Sequence, residues 1–304
     1  CKLYDALTQW DGQWYMEISV LGYRYDPEEH SSVSFFPLYP LLGRAAAALT
    51  GLDAGWALLV VSHVFLAAAF VLLNAYAQDR YAEATPCEER GTGASPWHHS
   101  SRNTDCSSQP GPISSQGPGA PTYAVLAFGL FPTTIFARIA YSESLFVFLC
   151  VLVLFGMRRR WPAWVLATII GLATAARSVG VALAPALALH LWKTEDSPWS
   201  AARKFALLAP LTLGGLLLYS TFLGITFGEP LAFAKAQDNW RMRPRSPLGE
   251  KVLAYLSWEP IWSVYDPSSP VYWKGFGDNP CALCSLQPAN PVFFVLGAGL
   301  VVLG

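Results

Sequence analysis

Apolar positions along the chain fall into long blocks divided by short polar or basic breaks, without the polar stripe of a surface helix. Gly55–Ala77 contains no Asp, Glu, Lys or Arg, and neither does Phe205–Gly228. About 20 helical residues cross a ~30 Å hydrocarbon core, so each block predicts a spanning helix. Thr122–Ala137 and Ile139–Met157 continue the apolar pattern and end at the basic cluster Arg158–Arg160. Trp161–Trp192 carries a single charge, Arg177. One helix of that length would reach about 48 Å, so two short helices meeting near Arg177–Gly180 are expected. Phe35–Thr50 is apolar but contains Pro37, Pro40 and Arg44, and reads as a re-entrant or interfacial helix.

The segments between these blocks are of three kinds. Residues 1–34 form a polar, aromatic and acidic first loop, followed by the re-entrant helix and the first secure helix within 35–85. Residues 86–121 are rich in Ser, Gly and Pro, with Ile113 the only aliphatic side chain larger than Ala. Such a stretch buries too little apolar surface to offset its ordering entropy and reads as a disordered loop. The helix bundle spans 122–228, broken by the polar connector Lys193–Lys204. A second polar-aromatic loop occupies 229–290, and 291–304 reads as the start of a truncated helix. Both ends look cut, with helices expected before Cys1 and after Gly304.

Composition supports a membrane class. Hydrophobic residues make up 53% of the 304 positions and charged residues 13%, about half the usual share for a soluble domain. Mean hydropathy is +0.33. The expected fold class is therefore an all-α polytopic membrane protein in contact with membrane lipids. A net charge of −1 argues against nucleic acid as a partner. The six cysteines form no framework: Cys281 and Cys284 make one C-x-x-C, where a zinc ribbon needs two. By the positive-inside rule, Arg158–Arg160 and the Lys193, Arg203, Lys204 connector face the cytoplasm. The first loop, the turn Arg138–Glu143, the bend at Arg177 and residues 229–290 then share the outer or lumenal face.

Ionisable residues beside apolar helices default to functional hypotheses, and four clusters fall on that face. The first is Trp10-Asp11-Gly12-Gln13-Trp14-Tyr15, with Gly22-Tyr23-Arg24-Tyr25 and Phe35-Phe36-Pro37-Leu38-Tyr39-Pro40 behind it. The others are Tyr141-Ser142-Glu143-Ser144-Leu145-Phe146, Ala176-Arg177-Ser178-Val179-Gly180, and Gln237-Asp238-Asn239-Trp240-Arg241. Together and in this order they resemble the PIG-V-type mannosyltransferases and their bacterial relatives, in the GT-C glycosyltransferase superfamily. The first loop has the bacterial form.

The resemblance implies a GT-C-like transmembrane helix bundle, incomplete at both ends, in a bacterial inner membrane or the endoplasmic reticulum. It implies a polyprenyl- or dolichyl-phosphate sugar donor, mannose by family expectation, and a lipid- or glycan-linked hydroxyl acceptor. No cofactor or metal is expected. Asp11 takes the role of base for the acceptor hydroxyl. The residue chemistry is compatible: such a transfer needs a base and a cationic group for the departing phosphate.

Arg177 suits that phosphate through its planar fork, the alternative being a snorkelling interfacial arginine. Arg241 is a second candidate, with Arg138, Arg243 and Arg245 behind it. Glu143 either positions sugar hydroxyls or pairs with Arg138. Trp10, Tyr23, Gln237 and Trp240 complete the expected substrate contacts. Trp258, Trp262 and Trp273 read as an interfacial belt or a sugar platform, and His63 and His190 as packed, hydrogen-bonded side chains. The rival class is a transporter or lipid flippase, which intramembrane charge and a broken helix also suit.

Overall fold

The computed structural model describes residues 2–84, 120–130, 132–237, 239–240, 247–266, 292 and 295. The low-complexity segment lies almost wholly outside the described residues, as do Arg241, Arg243, Arg245, Trp273, Cys281 and Cys284. All regular structure among the described residues is helical, with no strand. The chain divides into one unit of Cys1–Pro27 with Ser31–Ala234, and a second of Glu28–His30 with Lys235–Gly304.

The first loop is more ordered than its composition suggests. It forms α1 (Lys2–Leu7) and α2 (Asp11–Leu21). Gly12, Tyr15, Ile18 and Ser19 recur at helical spacing and are the buried face of α2. Arg44, on α3 (Leu38–Thr50), reaches the end of α2 and donates to the carbonyls of Ser19 at 2.6 Å and Ile18 at 3.4 Å. A cation there satisfies orphan carbonyls and complements the helix dipole. Its prolines do not interrupt α3. Pro40 sits in its first turn, where the missing N–H has no intrahelical acceptor. At 13 residues, α3 falls short of a spanning length.

Helix α4 (Ala54–Ala84) runs 31 residues without a break. Asp53 caps it, its Oδ1 accepting from the N–H groups of Gly55 at 2.8 Å and Trp56 at 3.1 Å. Its stretch Ala54–Asp79 is long and apolar enough to cross a membrane, and only 39% of its most apolar part is buried. The other predicted spans are shorter. They resolve into α5 (Ala120–Leu130), α6 (Glu143–Arg158), α7 (Ala163–Ala176) and α8 (Leu183–Thr194).

The expected single helix over Phe205–Gly228 is instead a bent pair, α9 (Pro198–Thr212) and α10 (Gly214–Phe227), meeting at 44°. It also begins inside the expected connector, capped by Ser197, whose side chain accepts from the Ser200 N–H at 3.1 Å. Two observations account for the bend. Pro210 removes a hydrogen bond within α9, and Thr174 of α7 accepts the Leu216 N–H at 3.2 Å, capping the restarted helix. Counting the pair as one span, one or two helices among the described residues are long and apolar enough to cross a membrane.

Small residues set the α7–α10 crossing. A Cβ on Gly215 would lie 2.3 Å from the Gly171 carbonyl oxygen and 2.4 Å from the Ala175 nitrogen. Backbone cannot withdraw as a side chain can, so Gly215→Ala should destabilise the bundle by about 1–3 kcal/mol. Gly214→Ala meets nothing within 4 Å and serves as the control. Thermal unfolding in detergent compares the two, and equal melting temperatures would refute the close crossing.

In the second unit, α11 (Leu248–Leu256) and α12 (Glu259–Trp262) lie within the expected loop. The Trp262 indole N–H donates to the Ser257 carbonyl at 3.1 Å.

Candidate functional site

The chain reverses between α1 and α2 at Trp10, which has φ 53° and an indole 67% exposed. This turn docks on the bend at Ile139–Ser142 that precedes α6. The Ala140 N–H donates to the Leu7 carbonyl at 3.0 Å. Gly12 packs against Ala140, where an added Cβ would lie 3.4 Å from the Ala140 methyl, an ordinary contact. The Asp11 N–H donates to the Tyr141 hydroxyl at 3.4 Å, and the Tyr15 and Ser142 hydroxyls share a hydrogen bond of 2.9 Å. Two sequence motifs separated by about 130 positions thus interlock.

The aromatic residues around them form the mount. Tyr15 packs edge-on against Phe35 and Tyr39, with ring centroids 5.2 and 4.9 Å apart. The buried Tyr39 hydroxyl bonds Ser62 of α4 at 2.7 Å, and Ser62 donates to the Tyr141 carbonyl at 3.2 Å. From α10, Tyr219 donates to the carbonyls of Val33 at 2.9 Å and Phe35 at 3.2 Å. The hydroxyls of Tyr15, Tyr39, Ser62, Ser142 and Tyr219 all have partners here, as burial favours. The Asp11 turn is therefore fixed to α3, α4, α6 and α10.

Glu143 opens α6, and Arg177 leaves α7 in an extended conformation (φ −155°, ψ 144°) before the short 3-10 turn Ser178–Ala182. Gly180 allows this turn to fold back, since a Cβ there would lie 2.5 Å from the Ala173 carbonyl carbon. Helices α6 and α7 are consecutive and antiparallel, so the start of one meets the end of the other. The Arg177 guanidinium Nη1 is in direct contact with Glu143 Oε1. Of the two roles left open for Glu143, pairing is the one seen, with Arg177 in place of Arg138. Its other oxygen, Oε2, is buried with no hydrogen-bond partner.

Asp11 feels both of these charges. Burial pushes its pKa above the ordinary carboxylate value, the Glu143 carboxylate adds to the rise, and Arg177 partly opposes it. The result is a carboxylate of raised basicity beside a carboxylate–guanidinium pair. Tyr141, at the head of the Tyr141–Phe146 motif, is a further functional candidate beyond the residues the sequence singled out. Burial, then the Asp11 charge, push its phenol up to about 12, so it is a neutral donor at physiological pH. The sequence signal was its position two residues before Glu143.

The fold thus gathers Asp11, Glu143 and Arg177, with Trp10 at the edge. Tyr23 is not part of this cluster but of the cavity next to it. Its hydroxyl donates to the Phe35 carbonyl at 3.0 Å and its ring packs on Tyr219 and Phe222. With Pro40, Leu41, Ala175, Leu218 and Phe222 it lines a cavity of about 490 Å³. Gln237 and Trp240 lie in the second unit, where the Trp240 ring meets His30 at 4.4 Å and Asn239 donates to the Glu29 carbonyl at 2.8 Å. Among the described residues, no group of three or more His, Cys, Asp or Glu is placed to hold a metal ion. Compared with family models, curated proteins and solved structures, the chain matches none.

Proposed function

We propose that this chain is the membrane-embedded part of a glycosyltransferase that moves a sugar from a polyprenyl-phosphate-type donor to a hydroxyl acceptor. The observation that carries the reading is the convergence of Asp11, Glu143 and Arg177 at one end of the α6–α7 hairpin. Asp11 takes the acceptor proton as its oxygen attacks the sugar C1. The C1–O bond to the phosphate breaks as the new C1–O bond forms, inverting C1. The electron pair leaves with the phosphate, whose charge Arg177 receives. Glu143 holds the guanidinium until the phosphate arrives.

Two features support a membrane setting. Helix α4 is apolar around its whole circumference yet mostly unburied, which is costly in water and natural in lipid. Large apolar side chains such as Val71, Leu207 and Ile225 also point outward. The apolar cavity beside Ala175 lies two residues from Arg177, where the hydrocarbon chain of a lipid phosphate fits.

The breaks at Arg177 and Leu213 favour the rival reading, a transporter with discontinuous helices. Membranes containing the full-length protein, supplied with radiolabelled polyprenyl-phosphate mannose, separate the two. Label should pass into an acceptor lipid or glycan. No transfer from any lipid-phosphate sugar, with movement of a solute or lipid instead, would establish the transporter. Recovery of the protein in the soluble fraction after alkaline carbonate, without detergent, would reject the membrane setting itself.

A further inference from the structure

The far end of the α6–α7 hairpin, about 24 Å along α6 from Glu143, carries an arrangement that sugar transfer does not use. Three consecutive arginines divide there. Arg158 donates to the Asp79 carbonyl at 3.2 Å. Arg159 pairs with the Asp79 carboxylate at 2.9 Å and lies 5.2 Å over the Phe155 ring. Both therefore fasten α6 to α4. Arg160 turns the other way, with φ 53°, a left-handed backbone that non-glycine residues rarely adopt and that points to a local function. The reversal is held by Trp161, whose N–H donates to the Gly156 carbonyl at 2.9 Å and whose ring fills the space over Gly156.

Beyond this turn lies a cavity of about 440 Å³, lined by Arg160, Trp161, His190, Lys193, Glu195 and Lys204 among others. Lys204 is neutralised, its Nζ donating to Glu195 Oε1 at 2.5 Å, while Ser200 donates to Oε2 at 2.9 Å. Arg160 and Lys193 have no carboxylate partner among the described residues. Asp196, the next acid along the chain, is not part of the lining. Trp164, Trp192 and Trp199 flank this end and are 62%, 62% and 80% exposed. Exposed indoles beside basic residues mark the headgroup level of a bilayer.

We propose that this cavity binds the phosphate of an anionic phospholipid headgroup. The Arg160 fork takes two phosphate oxygens and Lys193 supplies a second point charge. Basic pockets between helices on the positively charged side of a membrane protein suit such headgroups. The flanking tryptophans favour a lipid over a soluble phosphate, because they place the mouth of the cavity at the bilayer surface. The inference rests on the membrane reading above and is independent of the transferase chemistry.

Full-length protein in neutral detergent is stripped of lipid and titrated with phosphatidylglycerol or phosphatidylcholine, and bound lipid is counted by native mass spectrometry. Phosphatidylglycerol should be retained and phosphatidylcholine lost. The double variant Arg160→Gln/Lys193→Gln should weaken phosphatidylglycerol binding by about tenfold or more, while Lys193→Arg keeps it. Equal retention by parent and double variant overturns the proposal. Displacement of the lipid by millimolar inorganic phosphate overturns it in favour of a soluble ligand. Should the double variant fail to fold, salt decides: binding by the parent that does not weaken with ionic strength overturns the proposal.

Discussion

Asp11→Asn is expected to lose sugar transfer by about 10²- to 10⁴-fold and yet to melt at a higher temperature than the parent at neutral pH. The two effects share one cause. Burial, and then the neighbouring Glu143, raise the Asp11 pKa, which strengthens the group as a base and makes its ionised form costly in the folded chain. The folded-state pKa lies above the unfolded one. The group's contribution to stability is therefore fully present below the unfolded pKa and is lost as pH rises through the folded value. At neutral pH the folded parent carries a desolvated charge that Asn lacks. The gap in melting temperature should close in acid, where both side chains are neutral. Thermal unfolding of parent and variant across pH checks the sign, and a variant less stable than the parent at neutral pH would contradict it. The acidic limb of the parent's pH–rate profile should lie above the ordinary carboxylate range.

Arg177→Ala should remove transfer by about 10²- to 10³-fold, as expected for a lost donor to developing phosphate charge. It should also destabilise the fold, because it strands Glu143. Breaking a fully buried ion pair costs about 3–5 kcal/mol. These side chains are 37% and 30% exposed, so solvent screening reduces the expected loss to about 1–2 kcal/mol. The double variant Arg177→Ala/Glu143→Gln separates the roles. Stability should return, since the unpaired charge is gone, while transfer stays lost. Recovery of transfer along with stability would show that Arg177 serves the fold alone. Arg177→Lys should fall between, keeping the charge but not the two-pronged geometry.

The helical class, the apolar block over α4 and the break near Arg177 were legible because each rests on local pattern: unbroken hydrophobicity, chain length against bilayer thickness, and a lone charge in an apolar run. Helices α1 and α2 were not. The first loop is polar and aromatic overall, and the buried face of α2 consists of Gly12, Tyr15, Ile18 and Ser19, residues a hydrophobicity count barely registers. The division of Phe205–Gly228 was hidden for another reason. Pro210 and Gly214-Gly215 mark a weak point, but the hydroxyl that caps the new helix belongs to Thr174, far away in sequence.

Among candidate residues, the sequence determined which side chains have the chemistry: Asp11 as a carboxylate at a turn, Arg177 as a cation no apolar helix keeps without cause, Glu143 between them in order. Only the tertiary structure decided who faces whom. The antiparallel return of α7 on α6 brings Arg177 to Glu143, and the α1–α2 turn, seated on Ala140, carries Asp11 to the same end. It also set Tyr23 in the aromatic wall of the adjoining cavity instead of beside those three. Composition and spacing act over a few turns of helix, whereas an ion pair between positions 34 residues apart depends on which helices pack, and packing is a property of the whole fold.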